Sequence, residues 1–262
     1  MNADTSHRRP SGTWPALLLP VAVLSVVALA WEAGVVTAGV PVYVLPAPSK
    51  IVLSLVAHAP DLAAAGAVTL AEALLGFALG CCVSLVAAAL MIHSQTLERS
   101  LLPLAILLKV TPVVAVAPLL VIWLGFGLAP KAVVAALITF YPMLINALAG
   151  FRAVAPEASD LLTTLAASRW EVFRLLRWPS ALPYLFAGAR VAIPLSLIGA
   201  VVGEWAGAER GLGRAVLLAY TNLDLPWLFA AVVVLAALGI GLTAALAVLE
   251  RRIVFWTDAG QE

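Results

Sequence analysis

Six apolar segments, each long enough to cross a lipid bilayer, constrain this chain more than any other feature. About 20 consecutive apolar residues in a helix span the hydrocarbon core of a membrane. Because an open strand leaves backbone groups without hydrogen bonds in lipid, we expect all six segments to be helices. The sequence therefore predicts an all-α integral membrane protein with six transmembrane helices. The predicted spans are 15–31, 68–92, 101–124, 130–149, 184–206 and 226–249.

The composition excludes a soluble fold of this length. Of the 262 residues, 63% are hydrophobic and 11% are charged, and the mean hydropathy is +1.07. A soluble domain has about 25% charged residues, and this chain has too few polar groups to cover such a surface. The formal net charge of +1 gives no reason to expect a nucleic-acid partner. The lipid bilayer is the expected environment.

Residues that carry catalytic or redox chemistry are sparse. Cys81 and Cys82 are adjacent within an apolar run, a spacing that suits neither a disulfide nor a metal. The sequence has no Ser/His/Asp set and no G-x-x-x-x-G-K-[ST] loop that would hold ATP phosphates. We therefore expect no catalytic residues, metal or cofactor, and any energy from ATP must enter through another subunit.

The distribution of arginine and lysine predicts the orientation, because these residues favour the cytoplasmic side of a membrane. With the N-terminus inside, basic residues are concentrated in the inner segments, which predicts that both termini are cytoplasmic, as tails 1–14 and 253–262. The inner segments hold Arg8, Arg9, Arg99, Arg152, Arg169, Arg174, Arg177, Arg251 and Arg252. The outer segments hold Lys50, Lys131, Arg210 and Arg214.

The first span has an alternative interpretation as a cleaved signal peptide. A basic start at Arg8 and Arg9 precedes the apolar run, and Ala28-Leu29-Ala30 resembles a cleavage site. The outer segment that follows contains the run Leu45-Pro46-Ala47-Pro48-Ser49-Lys50. Since proline is excluded from helix interiors and serine is a good N-cap, Ser49 is expected to cap a short helix at 51–59.

The inner loop 150–183 has the pattern of a helical hairpin. Pro156 and Glu157 favour a helix start, and Ser168 followed by Glu171 is a capping-box pattern that opens a second helix. That second helix is expected to run from Arg169 to about Arg177 and to end at Pro179 and Pro183. Such a hairpin needs either a partner surface or the membrane interface, and its amphipathic pattern alone fits both.

The spacing in this hairpin resembles the EAA loop of ABC importer permeases, which is E-A-A, three residues, G, nine residues and I-x-L-P. Asp160-Leu161-Leu162 takes the place of the triplet, Ala166 stands at the glycine, and Leu176-Arg177-Trp178-Pro179 matches the end. An alanine in a left-handed turn costs about 1–2 kcal/mol, unless the turn is right-handed. The resemblance implies that hairpin 157–178 docks on a cytoplasmic ATPase. The implied coupling residues are Glu157, Asp160, Leu161, Leu162, Ala166, Ala167, Ser168, Arg169, Leu176 and Pro179.

Further motifs resemble the nitrate, sulfonate and taurine permease group. They are Leu45-Pro46-Ala47-Pro48-Ser49, the run from Thr111 to Leu119, Trp123-Leu124-Gly125-Phe126-Gly127, Ala187-Gly188-Ala189-Arg190, Gly203-Glu204-Trp205, Gly211-Leu212-Gly213 and Leu249-Glu250-Arg251-Arg252. Within the group, permeases for the thiamine pyrimidine precursor or riboflavin are most similar. The resemblance implies a type I ABC importer permease with the MetI-like fold over 15–252, in a bacterial inner membrane. It also implies three partners: a cytoplasmic ATPase dimer, an extracytoplasmic binding protein and a second permease copy.

Several residues within the spans are candidates for helix packing or for the transport path. Gly199, Gly203, Gly207 and Gly211 recur every four residues, which predicts close packing either within one subunit or across a dimer axis. Charges within spans and helix-kinking prolines are the candidates for the path or its gate. They are Glu72, Lys109, Pro112, Pro118 and Glu204. An ion-coupled secondary transporter using Glu72, Lys109 or Glu204 as a relay is the alternative class, and nitrate, sulfonate or taurine are alternative substrates.

Overall fold

The computed structural model describes residues 13–256, and within that range the chain forms helices and no β-strand. One π-helical turn, Phe173–Arg177, joins α8 to α9. Arg8, Arg9 and most of the two predicted tails lie outside the described residues. The helices are α1 (Thr13–Thr37), α2 (Pro48–Ala57), α3 (Ala59–His93), α4 (Gln95–Val110), α5 (Val113–Leu124), α6 (Leu128–Arg152), α7 (Pro156–Thr164), α8 (Arg169–Val172), α9 (Trp178–Gly207), α10 (Leu212–Thr221) and α11 (Leu225–Ile253).

The helices that are long and apolar enough to cross a membrane match the six predicted segments in order. In the described part of the chain, five of them stand alone: α1, α3, α6, the continuous helix from α8 through α9, and α11. The sixth is the pair α4 and α5, which is bent by 98°. The prediction of an all-α protein with several membrane spans is confirmed.

The third predicted span, 101–124, is two helices rather than one, which corrects the prediction. Thr111, between α4 and α5, is extended, with φ −70° and ψ 126°. Pro112 explains the break, because proline lacks an N–H for the helix and disfavours the helical conformation in the residue before it. Pro118 lies inside α5 without ending it.

The second arm of the hairpin does not end at its prolines, contrary to the prediction. It continues through the π-helical turn into α9, so that a single helix runs from Arg169 to Gly207. The Trp178 N–H donates to the Phe173 carbonyl, five residues back. This wider turn lies immediately before Pro179, at the start of α9, where the missing N–H of proline is tolerated.

The predicted short helix after the two outer-loop prolines forms, but its cap differs from the prediction. α2 begins at Pro48, and its N-cap residue is Ala47, which makes no side-chain bond. Ser49 instead donates its N–H and its hydroxyl to the Glu32 carboxylate of α1, at 2.9 and 2.7 Å. A carboxylate from the preceding helix therefore takes the capping role that the sequence assigns to serine.

α6 lies between α3 and α9, and glycines allow both neighbours to approach it closely. A Cβ on Gly76 of α3 would lie 2.3 Å from the Ala135 Cβ, and a Cβ on Gly199 of α9 would lie 2.5 Å from the Ala135 Cα. No side chain fits at either position without moving a backbone. Since small residues allow membrane helices to pack by close approach, α3, α6 and α9 form the core of the subunit.

The predicted glycine stripe makes its contacts within the subunit, and one of its four members lies outside it. A Cβ on Gly203 would lie 2.9 Å from the Lys131 Cα, and one on Gly207 would lie 3.0 Å from Val121. Gly211 follows the end of α9 and has φ +118°, so the spacing of four does not place it on the helix. A role of the stripe in a dimer stays a prediction.

Candidate coupling hairpin and buried polar cluster

The hairpin turns at Ala166, whose φ of +55° lies in the left-handed region. Across the turn, the Ala167 N–H donates to the Leu162 carbonyl at 3.0 Å, which is the bond pattern of a Schellman cap. Of the two conformations considered from the sequence, the structure has the left-handed one. The alanine at this position therefore carries a strain of about 1–2 kcal/mol that a glycine would not.

The second arm opens with a capping box, as its sequence indicates. The Glu171 N–H donates to the Ser168 hydroxyl at 3.3 Å, and the Ser168 N–H donates to the Glu171 carboxylate at 2.7 Å. Two N–H groups at the helix start thus have partners supplied from four consecutive residues. This cap fixes where the turn ends and where the long helix begins.

Aromatic rings fasten the hairpin to the helical core. The Phe173 ring of the π-helical turn lies 5.4 Å from Phe151 of α6, 5.8 Å from Trp170 and 6.3 Å from Trp178. Ring pairs at these centroid distances attract one another beyond the effect of their buried area. The hairpin is therefore packed against α6 and continuous with α9, and it cannot shift without displacing both.

The coupling residues that the family resemblance implies are spread over the free side and the turn of the hairpin. The Leu161 side chain is 61% exposed on a helix that lies outside the apolar spans, next to the exposed acid Asp160. Leu165, four residues on, is also 69% exposed, and neighbouring exposed apolar side chains are typical of a docking surface. Glu157, Asp160, Leu161, Ala166, Ser168 and Arg169 are exposed, whereas Leu162, Ala167, Leu176 and Pro179 are half-buried.

At the other end of α9, Glu204 caps the N-terminus of α10 from inside the protein. Its carboxylate accepts the N–H groups of Gly213 and Arg214, at 2.5 and 3.1 Å. Thr69 of α3 donates its hydroxyl to Glu204 at 2.6 Å and accepts the Leu212 N–H at 2.8 Å. Both side chains are fully buried. A negative charge at the positive end of a helix, with every bond made in the interior, holds α3, α9 and α10 together.

A second buried acid lies beside this cap. The Glu72 carboxylate of α3 is 3.5 Å from the Lys131 ammonium of α6, and both side chains are almost fully buried. Lys131 also donates to the Phe126 carbonyl at 3.3 Å. The other oxygen of Glu72 has no hydrogen-bond partner, and its carboxyl group lies next to that of Glu204. Thr69, Glu72, Lys131 and Glu204 are the buried polar cluster.

The five predicted path residues do not come together in one place. Glu72 and Glu204 meet in the buried polar cluster, inside one subunit. Lys109 lies at the exposed end of α4, where its ammonium is 4.5 Å from the centre of the Tyr141 ring. Pro112 marks the break after that helix, and Pro118 lies within α5. A role in the path stays a prediction for all five.

Sequence reasoning missed Lys131 and Thr69 as members of a site. Lys131 was counted as a basic residue of an outer loop, although it occupies the first turn of α6 and is buried. A useful signal was present: an unpaired lysine and an unpaired glutamate both stand at the margins of apolar spans, where each needs an opposite charge. Thr69 left no such signal, because threonine is common in membrane helices and is often bonded to its own backbone.

The described residues offer no centre for metal chemistry. Between residues 13 and 256, no group of three or more His, Cys, Asp or Glu side chains is placed to hold a metal ion. The notable polar groups instead cap helices, pair with each other or face outward on the hairpin.

Residues 80–255 match the family described as the binding-protein-dependent transport system inner membrane component. The chain is 37% identical over 250 residues to the riboflavin transport system permease protein RibX of Chloroflexus aurantiacus, covering 93% of this chain and 91% of RibX. It is 34% identical over 234 residues to the formylaminopyrimidine transport permease protein ThiX of Halalkalibacterium halodurans. That match covers 86% of this chain and 90% of ThiX. In fold it is similar to a chain of the inward facing MetNI methionine ABC transporter, with a TM-score of 0.67 and 17% identity over 74% of this chain and 96% of that one.

These matches confirm the family that the hairpin motif indicated, and the structural similarity confirms the MetI-like fold. They also agree with the resemblance to riboflavin and pyrimidine-precursor permeases. The chain belongs to the inner membrane permease family of binding-protein-dependent ABC importers.

Proposed function

We propose that this permease forms the path for a small heterocyclic solute of the riboflavin or formylaminopyrimidine class. An extracytoplasmic binding protein delivers the solute, and a cytoplasmic ATPase dimer drives the transport cycle. Support for the solute class comes from RibX and ThiX, whose names state those two solutes. Nitrate, sulfonate or taurine would be the alternative cargo.

One observation carries the coupling mechanism: the second arm of the hairpin and the span α9 are one continuous helix, Arg169–Gly207. When ATP closes the ATPase dimer, α7 moves with the surface on which it is docked. The Phe173 ring contacts pass that displacement to α6, and the unbroken helix passes it to α9. Because α6 and α9 are packed together at Gly199 and Gly203, the two spans move as a unit.

A second copy of the chain completes the path. The described contacts of the glycine stripe lie inside the subunit, and a dimer has another surface available. α5 offers one, since Ile122 and Trp123 are exposed and the helix is apolar along its length. The break at Pro112 then allows α5 to tilt independently of α4, with Lys109 beside the joint. Both termini face the cytoplasm of a bacterial inner-membrane protein, which puts the hairpin on the side of the ATPase.

The coupling role is tested by placing a charge on the docking face. Leu161→Asp is expected to abolish co-purification of the tagged permease with its ATPase and to stop ATP-dependent uptake in proteoliposomes. Leu53→Asp is the matched control, because Leu53 of α2 is 64% exposed, close to the 61% of Leu161, and lies outside the hairpin. Normal ATPase binding and uptake by the Leu161→Asp protein would refute the docking surface.

The cargo is tested on the binding protein encoded with this permease. Titration calorimetry with riboflavin, a formylaminopyrimidine, taurine, an alkanesulfonate and nitrate is expected to show tight binding of one of the first two. Uptake into proteoliposomes containing the full transporter should follow the same order. Tight binding of taurine, sulfonate or nitrate alone would replace the proposed solute class.

The buried polar cluster is the specific observation in favour of an ion-coupled secondary transporter. Glu72, Lys131 and Glu204 bring three ionisable groups together in the interior, as proton relays do. The two mechanisms are separated by reconstituting the purified permease alone under a proton gradient. The ABC mechanism predicts no uptake without the ATPase, and uptake under these conditions would establish the rival.

A further inference from the structure

Two cavities between the hairpin and the end of α3 combine a basic pocket with an apolar groove. The basic pocket, of about 440 Å³, is lined by His93, Arg169 and Arg177, among others. The apolar groove, of about 400 Å³, is lined mainly by Val86, Leu90, Trp170 and Phe173. His93 and Arg169 line both cavities, so the groove and the pocket are adjacent.

The basic pocket has no carboxylate in its own lining, and the Glu98 of the neighbouring cavity that Arg177 also lines is paired with Arg152. None of the ion pairs in the described part of the chain involves Arg169 or Arg177. No carboxylate is among the described residues that line either cavity. Arginine binds phosphate through paired N–H groups, so a cavity lined by two arginines suits that anion.

The apolar groove runs along a membrane-spanning helix. Val86 and Leu90 lie in the last turns of α3, and both are exposed on its surface. The opposite wall is formed by Trp170 and Phe173, whose rings are stacked at 5.8 Å. α3 ends at His93, so the groove is on the hydrocarbon side and the basic pocket lies where the span leaves the membrane. Aromatic residues are typical of that boundary.

We propose that this paired cavity binds one anionic phospholipid. Its phosphate lies between Arg169 and Arg177, and one acyl chain follows the groove along Val86 and Leu90. Such a lipid would contact both the hairpin and α3, two elements that the proposed coupling requires to move relative to the membrane. The alternative occupant is an acidic segment of the ATPase. The lipid is favoured because the groove adjoins the pocket along a transmembrane helix, where no soluble subunit reaches.

The test measures lipid binding to the full-length purified chain, and so does not depend on the coupling proposal. Phosphatidylglycerol and phosphatidylcholine with identical acyl chains are titrated separately, and bound lipids are counted by native mass spectrometry. The unmodified chain is expected to hold one phosphatidylglycerol roughly 10-fold or more tightly than phosphatidylcholine, as two arginines near the bilayer surface imply. The double variant Arg169→Gln/Arg177→Gln should lose that preference.

Two further variants separate the groove from the charges. Val86→Trp fills the groove without changing charge and should weaken the single tight lipid of either headgroup. Arg251→Gln/Arg252→Gln removes the same charge from the last turn of α11 and should retain the preference. If these two control arginines matter as much as Arg169 and Arg177, the binding is diffuse and the proposed site is wrong.

Two other results would also overturn the proposal. Displacement of phosphatidylglycerol by millimolar inorganic phosphate, with no effect of Val86→Trp, would identify a site for a soluble anion. Unchanged lipid preference in the Arg169→Gln/Arg177→Gln protein, together with loss of ATPase co-purification, would assign the two arginines to the ATPase interface. Loss of lipid preference in the single variant Arg177→Gln, which leaves the implied coupling residue Arg169 in place, with normal ATPase binding supports the lipid site.

Discussion

Two helix starts in this protein are capped by the same chemical pair, a hydroxyl and a carboxylate, in opposite environments. At α8 the pair is Ser168 and Glu171, three residues apart in sequence and exposed to solvent. At α10 the pair is Thr69 and Glu204, which come from α3 and α9 and are fully buried. The first cap is local and the second is assembled by the fold.

The stability that a capping motif contributes depends on its surroundings. Water competes for the N–H groups of α8, so Ser168 stabilises its own turn by only about 1 kcal/mol. No water competes at α10, where an unmade bond leaves a buried donor without a partner. We therefore expect the exposed cap to control local order in the hairpin, and the buried cap to control the stability of the whole subunit.

The largest expected effect comes from removing the buried carboxylate. Glu204→Ala leaves the Gly213 and Arg214 N–H groups without an acceptor. Each buried donor left without its hydrogen bond costs about 1–3 kcal/mol. We predict a large fall in Tm in detergent and a low yield of folded protein.

The matched control is Glu209→Ala, which removes an exposed acid from the loop just before α10. Its Tm should stay close to that of the unmodified protein. Glu204→Gln keeps one acceptor oxygen and should fall between the two. Equal Tm values for the Glu204→Ala and Glu209→Ala proteins would contradict the structural role of the buried cap.

A smaller but still large effect is expected at the residue that brings α10 onto the carboxylate. Gly211 has φ +118°, and a Cβ there would lie 2.3 Å from the Glu204 carboxylate. Gly211→Ala adds backbone strain of about 1–3 kcal/mol. It also displaces the Glu204 carboxylate, which accepts the N–H groups at the start of α10. The Tm should fall, whereas Gly241→Ala, with nothing within 4 Å, should leave it unchanged or raised. A Tm loss no greater than that of the control would show that the loop adapts freely.

The contrast between the local cap of α8 and the cap of α10 that the fold assembles explains why the sequence predicts only the first. The capping box at Ser168 was predicted because all its atoms belong to a four-residue pattern. The buried cap was not, because Thr69 and Glu204 are 135 positions apart and nothing in either segment specifies the other. The sequence places Glu204 only among the candidates for the transport path, a role that stays a prediction.

The apolar spans can be predicted from local sequence, whereas the breaks within them depend on tertiary contacts. Hydropathy fixes the number and order of apolar helices, since each is a local property of about 20 residues. The break at Pro112 and the passage through Pro179 carry similar local signals but have opposite outcomes. The helix continues past Pro179, whereas α4 and α5 are separate helices on either side of Pro112. Choosing between these outcomes requires the tertiary contacts of the neighbouring turns.

Removing the exposed cap should have a local effect only. Ser168→Ala deletes the acceptor of the Glu171 N–H and should cost about 1 kcal/mol at the start of α8. Hydrogen exchange of residues 157–178 is expected to accelerate while the Tm of the protein stays the same. Ser100→Ala is the control, since the Ser100 hydroxyl bonds back within its own helix and caps nothing. A Tm loss as large as that of Glu204→Ala would remove the distinction between the two caps.

The smallest effect, a gain in stability, lies at the hairpin turn. Ala166→Gly relieves about 1–2 kcal/mol of left-handed strain but gives up about 0.5–1 kcal/mol through the greater freedom of glycine in the unfolded chain. The net stabilisation should slow hydrogen exchange in the turn slightly. Ala167→Gly, one residue on and without a positive φ, should instead accelerate it, because only the entropic loss remains. Faster hydrogen exchange of the hairpin turn in the Ala166→Gly protein would mean that residue 166 does not hold the left-handed conformation in solution. Slower exchange together with slower ATP-driven uptake would mean that the strain at this alanine is used in the transport cycle.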